Sequence, residues 1–242
     1  FVAVGSNGKI STSPGGTTWT AKTSGTTKTF RGVAYGNNTF VAVGNTGKIF
    51  TSPDGTTWTA QTSGVTVRLN GITFSTDKFV AVGNTGTILT SPNGTTWTAQ
   101  TSGATQNLQG VTYGNNTYIA TSDAGAILTS PDGTTWTGQT SGTTQALHGV
   151  TYGNNTFVVV GNNGIIKTSP DGTTWTAQTS GTTNNLFGAA FGNDTFVVVG
   201  TAGKIVTSTN GTTWIPKYPP RASFSYKVLF ANNTFVTVGN ID

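Results

Sequence analysis

The sequence predicts an all-β fold, a six-bladed β-propeller built from 39-residue blades, and three periodicities carry that prediction. Trp recurs at 19, 58, 97, 136, 175 and 214, always 39 residues apart. An aromatic residue opens an apolar run at the same period, as Phe1, Phe40, Phe79, Tyr118, Phe157, Phe196 and Phe235. Ile stands unchanged at 10, 49, 88, 127, 166 and 205. A repeat of this length that holds four short β-type segments is one propeller blade. The repeats run 1–39, 40–78, 79–117, 118–156, 157–195 and 196–234, with 235–242 opening a seventh, and the whole of 1–242 is expected to be a single domain.

One repeat shows why each strand is expected. We name the strands A to D from the expected propeller axis outward. Leu69–Phe74 alternates and ends in an aromatic residue, which suits strand A. Phe79–Val82 is apolar at successive positions, as in a strand covered on both faces, and forms strand B. Thr87–Thr90 surrounds the fixed Ile88 as strand C, and Thr95–Thr101, Thr-rich around Trp97, is read as strand D. Gly, Asn, Asp and Pro separate the segments and supply the backbone angles of tight turns. No segment has a helical period. The chain begins on a B strand and ends on A and B, which gives 25 strands against 24 for six blades. The expected ring is therefore closed by N- and C-terminal strands with one surplus B strand, either Phe1–Gly5 or Phe235–Gly239. In the sixth repeat, Ile215-Pro216-Lys217-Tyr218-Pro219-Pro220 replaces the Thr-rich segment, so its outer strand is expected to end early.

Composition narrows the chemistry. The chain has 242 residues, no Cys, only 8% charged residues and a formal net charge of +5. Disulfides, thiolate metal sites and cysteine nucleophiles are excluded. All seven acidic residues are Asp: 54, 77, 123, 132, 171, 194 and 242. So small a set of ions describes a weakly cationic protein and not a nucleic-acid binder. No run of eighteen apolar residues exists, so membrane insertion is not expected.

The segment Ser52-Pro53-Asp54-Gly55-Thr56-Thr57-Trp58, with versions at 13–19, 91–97, 130–136, 169–175 and 208–214, resembles the Asp-box (BNR repeat) of sialidase-like propellers. The unit is also similar to propeller repeats of bacterial secreted and surface proteins, and of a photosystem assembly factor with the same box. The resemblance spans the chain and implies an extracellular or cell-surface propeller of the non-enzymatic type, although such scaffolds serve many unrelated functions.

Enzymatic chemistry finds little footing. A sialidase-like hydrolase needs an arginine cluster, a tyrosine nucleophile and acidic partners, yet Arg occurs only at 31, 68 and 221 and Glu not at all. The box position reads Gly15, Asp54, Asn93, Asp132, Asp171 and Asn210. A column that tolerates loss of charge fits a side chain capping turn amides. His148 is the single histidine and has no sequence partner for a metal site or a triad. The six Trp residues are read as packing groups, with sugar stacking as the alternative. No catalytic residue, metal ligand or cofactor is assigned.

Comparison of the repeats with one another locates the individuality. The A–B turns, such as Gly36-Asn37-Asn38-Thr39, and the box turns barely vary. The D–A loops, strand A starts and B–C turns do vary, and in a propeller these border one face. Candidate ligand-binding residues there are Lys28, Arg31, Arg68, Asn70, Gln109, His148, Phe187 and Tyr226. The expected function is recognition of a glycan or protein ligand through this face. The alternatives are a self-assembling subunit of a surface layer or filament that associates through the surplus strand, and an amplified or engineered repeat without a ligand. A glycoside hydrolase is the least favoured reading.

Overall fold

The computed structural model describes residues 1–75, 77–217 and 223–241. It contains 25 β-strands among the described residues, the number read from the repeats. The chain forms two compact units, 1–111 with 130–137 and 112–129 with 138–242.

In the first unit, Val2–Val4, Ile10–Thr12 and Thr20–Lys22 form a three-stranded sheet. Two four-stranded sheets follow, one running from Phe30 to Gln61 and one from Leu69 to Gln100. All are antiparallel meanders, so each strand pairs with its neighbour in sequence. Strand A of the third sheet is Leu69–Phe74, as read from its alternation, and strand B is Phe79–Gly83. Strand D is shorter than expected, Thr98–Gln100, and leaves Trp97 just outside it. The reason lies in the turn: the Thr95 and Thr96 amides both donate to Asn93 Oδ1, at 3.0 Å each, and the Trp97 indole N–H donates to the Gly94 carbonyl at 2.8 Å. Those amides are committed to the turn and are not offered to a ladder.

The second unit repeats the pattern in the sheets Leu147–Gln178 and Leu186–Lys217, and ends in the hairpin Ser223–Ala231 with Thr234–Ile241. It also holds most of the sheet Leu108–Gln139. The outer strand of the sixth repeat, Ile215–Lys217, has the same three-residue length as its counterparts and does not end early. Pro216 keeps the register opposite Val206, which an edge strand tolerates because one side of it needs no ladder donor. Residues Tyr218, Pro219, Pro220 and Arg221 lie outside the described residues.

The periodic apolar residues are the core. Val41, Val43 and Ile49 of one sheet pack against Leu69, Phe79, Ala81 and Leu89 of the next, all fully buried, with Trp97 at the margin. Val158, Val160 and Ile166 meet Leu186, Phe196, Val198, Val206 and Trp214 in the same way. Burying one such Phe contributes roughly 2–3 kcal/mol. The glycine that ends strand A is part of this packing. A Cβ on Gly36 would stand 2.0 Å from the Phe74 ring of the next sheet, and Gly114, Gly153 and Gly192 face Tyr152, Phe191 and Phe230 in the same way.

Candidate functional site

In the repeats that carry Asn45, Asn84 and Asn162, strand A and the B–C turn are held together before any ligand chemistry enters. The B–C turn is a short 3-10 element such as Asn45–Gly47, whose first amide donates to the chain just before strand A: Asn45 N to Thr29 O, Asn84 N to Arg68 O, and Asn162 N to Ala146 O, each at 2.9 Å. This approach leaves no room for a side chain at Gly44, where a Cβ would lie 2.2 Å from the Thr29 carbonyl.

On this frame the second residue of strand A is tethered to the first residue of the turn, fourteen positions on. Arg31 Nε donates to Asn45 Oδ1 at 3.3 Å, and Asn70 Nδ2 donates to Asn84 Oδ1 at 3.0 Å. His148 Nε2 lies 2.8 Å from Asn162 Oδ1, so the bond requires the tautomer protonated at Nε2. Asn45, Asn84 and Asn162 belong to the variable B–C turns but were not among the candidate ligand-binding residues. The constant offset between two variable columns is the signal that would have found them.

The eight candidates fall into two sets. Lys28, Arg31, Arg68, Asn70 and Gln109 belong to the first unit. Lys28 is exposed, and its backbone amide donates to Thr26 Oγ1 at 3.1 Å. Arg31 is exposed, and partial desolvation together with the like charge of Arg68 pushes its pKa down. Arg68 is half-buried, and its Nε is shielded from solvent with no hydrogen-bond partner. Asn70 is buried, with a second bond from Nδ2 to Leu108 O at 2.7 Å, so its amide serves the scaffold. Gln109 is half-buried, and its carbonyl lies 3.0 Å from where a Gly71 Cβ would stand.

His148, Phe187 and Tyr226 belong to the second unit and come together as a ladder of rings from three successive A strands. The His148 and Phe187 centroids are 5.0 Å apart, and those of Phe187 and Tyr226 are 5.6 Å apart. Tyr226 is 43% exposed, a large value for an aromatic residue on a strand. Burial lowers the His148 pKa, as does the Lys227 charge, against the opposing effects of the Asn162 bond and Asp123. Lys227 is an addition to the sequence reading. Its column is Gly32, Gly71, Gly110, Gly149 and Gly188 in the other repeats, so a cation enters beside the ladder where every other repeat has only hydrogen.

The carboxylates of the Ser-Pro-Asp-Gly turns are turn caps. Asp54 Oδ1 accepts from the Thr56 and Thr57 amides at 2.8 and 2.9 Å, and Oδ2 accepts from the Thr56 hydroxyl. Asn210 accepts the equivalent two amides, at 3.0 and 2.9 Å, without a charge. Donation from the Thr56 hydroxyl and the two amides holds the Asp54 carboxyl well below the usual range, and the same kinds of donor act on Asp132 and Asp171. Carboxylates held ionised in this way are poorly suited to proton transfer near neutral pH. Each Trp indole N–H donates to the Gly carbonyl three residues earlier, and Trp58, Trp97, Trp175 and Trp214 border apolar clusters. Among the described residues, no three His, Asp, Glu or Cys side chains are grouped to hold a metal. Nor is any helix among them long and apolar enough to cross a membrane.

A family model described as the DUF6242 β-propeller domain matches residues 1–108. No curated protein matches the chain. Among solved structures, YCF48 bound to a D1 peptide is similar with a TM-score of 0.80 and 21% identity, over 99% of this chain and 85% of that one. YCF48 from Cyanidioschyzon merolae gives a TM-score of 0.78 and 16% identity, over 99% and 88%. The WD40 β-propeller domain of Doa1 gives 0.75 and 14% identity, over 100% and 86%. These likenesses establish the fold class predicted from the repeats, a β-propeller.

Proposed function

We propose that this propeller is a non-enzymatic binding module that recognises a peptide or protein segment through the side formed by its D–A loops and B–C turns. The observation that carries the reading is the ladder His148–Phe187–Tyr226. Three rings at one register, partly open to solvent, form a contact strip that a chain with apolar side chains can cover. Aromatic side chains supply large contact area with few rotatable bonds, so their ordering costs little on binding. In the other unit, Arg31 and Arg68 are close enough for one charge to depress the pKa of the other, a setting that attracts an acidic group. The solved relative bound to a D1 peptide supports the reading by showing that a propeller of this kind can present a peptide site. The amide-capped Ser-x-Asp-Gly turns favour a place beside the Asp-box propellers, with the acid in a structural role. A chain with 8% charged residues suits work at a cell surface or in secreted form.

The test is selection of peptides from a displayed random library against the full chain. The expected result is a set of peptides carrying apolar or aromatic residues, whose affinity falls at least tenfold with Phe187→Ala/Tyr226→Ala. Failure to enrich any peptide, or enriched peptides indifferent to that pair of substitutions, overturns the proposal.

A further inference from the structure

In two repeats the second amide of the B–C turn is capped by the residue 22 positions on, just before strand A. The Thr85 amide donates to Asn107 Oδ1 at 3.1 Å in the third repeat, and the Asn163 amide donates to Asn185 Oδ1 at 3.0 Å in the fifth. In the second repeat the same offset joins Thr46 to Arg68. The turn itself is unchanged, with φ and ψ of 55° and 37° at Thr46, 54° and 38° at Thr85, and 55° and 33° at Asn163. A guanidinium has no acceptor atom, so Arg68 cannot take the Thr46 amide as Asn107 takes that of Thr85. A donor has replaced an acceptor at this position.

Two further observations mark the same place. Arg68 Nε is shielded from solvent and has no hydrogen-bond partner, an uncommon state for a charged donor. Arg31 approaches from the preceding strand A. Its Nε donates to Asn45 Oδ1, on the residue next to Thr46, at 3.3 Å. In the equivalent position Asn70 also donates to Leu108 O at 2.7 Å, so side chains of this column reach the residue that opens the next strand A. For Arg31 that residue is Leu69, the neighbour of Arg68. The charge of Arg68 acts on Arg31, and neither is paired with a carboxylate among the described residues. The counterparts of Arg68 in the first, fourth and sixth repeats are Thr29, Ala146 and Phe224, which bring no charge.

We infer that Arg31, Arg68 and the Thr46 amide form a binding site for one carboxylate of an acidic peptide, an assignment that rests on the peptide reading above and deepens it. In the third and fifth repeats the oxygen that takes the turn amide belongs to a planar carboxamide. A carboxylate supplies the same kind of oxygen for Thr46 and a second one for the guanidinium groups, which bind carboxylates through paired N–H bonds. It also offsets the repulsion between the two arginines and gives the shielded Nε an acceptor. That carboxylate belongs either to an Asp or Glu side chain or to a chain end.

The experiment follows the Thr46 amide and Arg68 Nε–H signals of the full chain in proton–nitrogen correlation spectra at constant ionic strength. The probes are acetyl-Ala-Glu-Ala-amide, acetyl-Ala-Gln-Ala-amide, acetyl-Ala-Ala-Ala with a free carboxyl end, and sodium sulfate. The expected result is that both signals move together with the Glu peptide, and at least tenfold more weakly with the Gln peptide. Arg31→Asn/Arg68→Asn gives the site the residues found one period on, Asn70 and Asn107, and so keeps a surface already compatible with the fold. It should weaken Glu-peptide binding tenfold or more, whereas Lys9→Thr/Lys22→Gln, which removes the same charge elsewhere, should weaken it less than twofold. Signals unmoved by either carboxylate peptide, a Gln peptide as effective as the Glu peptide, or equal losses in variant and control overturn the site. Sulfate binding as tightly as the Glu peptide overturns the carboxylate assignment. The site stands whether the Glu peptide or the free-ended peptide binds more tightly, and the tighter one names the source of the carboxylate. No probe carries a ring, so failure here is distinct from failure of the peptide selection, which reads Phe187 and Tyr226.

Discussion

Position 15 is the one place in the six box turns where the capping side chain is missing, so it measures what that side chain contributes. In the third repeat, Asn93 Oδ1 accepts the amides of Thr95 and Thr96 at 3.0 Å, and the Ser91 hydroxyl accepts that of Gly94 at 2.8 Å. In the first repeat the serine contact persists, Gly16 N to Ser13 Oγ at 2.8 Å, but Gly15 offers nothing to Thr17 and Thr18. Gly15 is exposed, has no left-handed φ, and a Cβ built on it meets nothing within 4 Å. Gly15→Asn should therefore be accepted without strain. A side-chain cap of this kind is worth about 1 kcal/mol, and removing a glycine's freedom from the unfolded chain adds roughly 0.5 kcal/mol. The expected gain is about 1.5 kcal/mol, or about 3–6 °C in melting temperature for a chain of this size. Urea and thermal unfolding followed by Trp fluorescence measure it, with Gly15→Ala reporting the backbone contribution alone. Gly15→Asp should match Gly15→Asn at neutral pH. Its folded-state carboxyl would sit below the ordinary carboxylate value, as in Asp54, so its advantage should fade as pH drops below about 4. If Gly15→Asn is no more stable than Gly15→Ala, the box side chain is not a cap.

Other perturbations follow from the same geometry. Gly36→Ala should destabilise by about 2 kcal/mol, because the new methyl overlaps the Phe74 ring; denaturant titration reads the loss. Thr46 and Thr85 hold φ of 55° and 54°, where β-branched residues are strained, whereas Asn7 and Asn163 occupy the equivalent positions with ease. Thr46→Asn and Thr85→Asn should each raise stability by about 0.5 kcal/mol in the same assay. His148 is held with a lowered pKa, so the folded state resists protonation. Stability from this group should be full above about pH 6.5, fall as pH drops through that value, and level off below the lowered folded value. His148→Asn, which mimics Asn70 and its bond to Asn84, should flatten that segment of the stability–pH curve.

Much of the fold was legible because a residue needed by every sheet appears at every period. Phe79, Ile88 and Leu69 are fully buried, and strand A of the third sheet has the bounds its alternation indicates. Legibility stopped where a residue's role depends on a partner distant in sequence. Trp97 reads as part of a Thr-rich strand because β-propensity does not reveal that Asn93 has taken the preceding amides. Asn70 reads as a surface polar residue, but its amide turns inward to Leu108 O. The ladder was visible as three variable positions, not as three rings in contact.

The repeats also separate drift from purpose on physical grounds. Gly15 gives up a cap and gains nothing visible in its place, as a neutral loss does in a protein with stability to spare. Lys22 likewise gives up a contact that four other repeats keep, the bond from Gln to Thr. At Lys227, by contrast, a cation enters a column otherwise made of glycine and stands close enough to the ring ladder to depress the His148 pKa. In a molecule built from near-copies, departures that cost stability and coincide in space mark a ligand more reliably than variability alone.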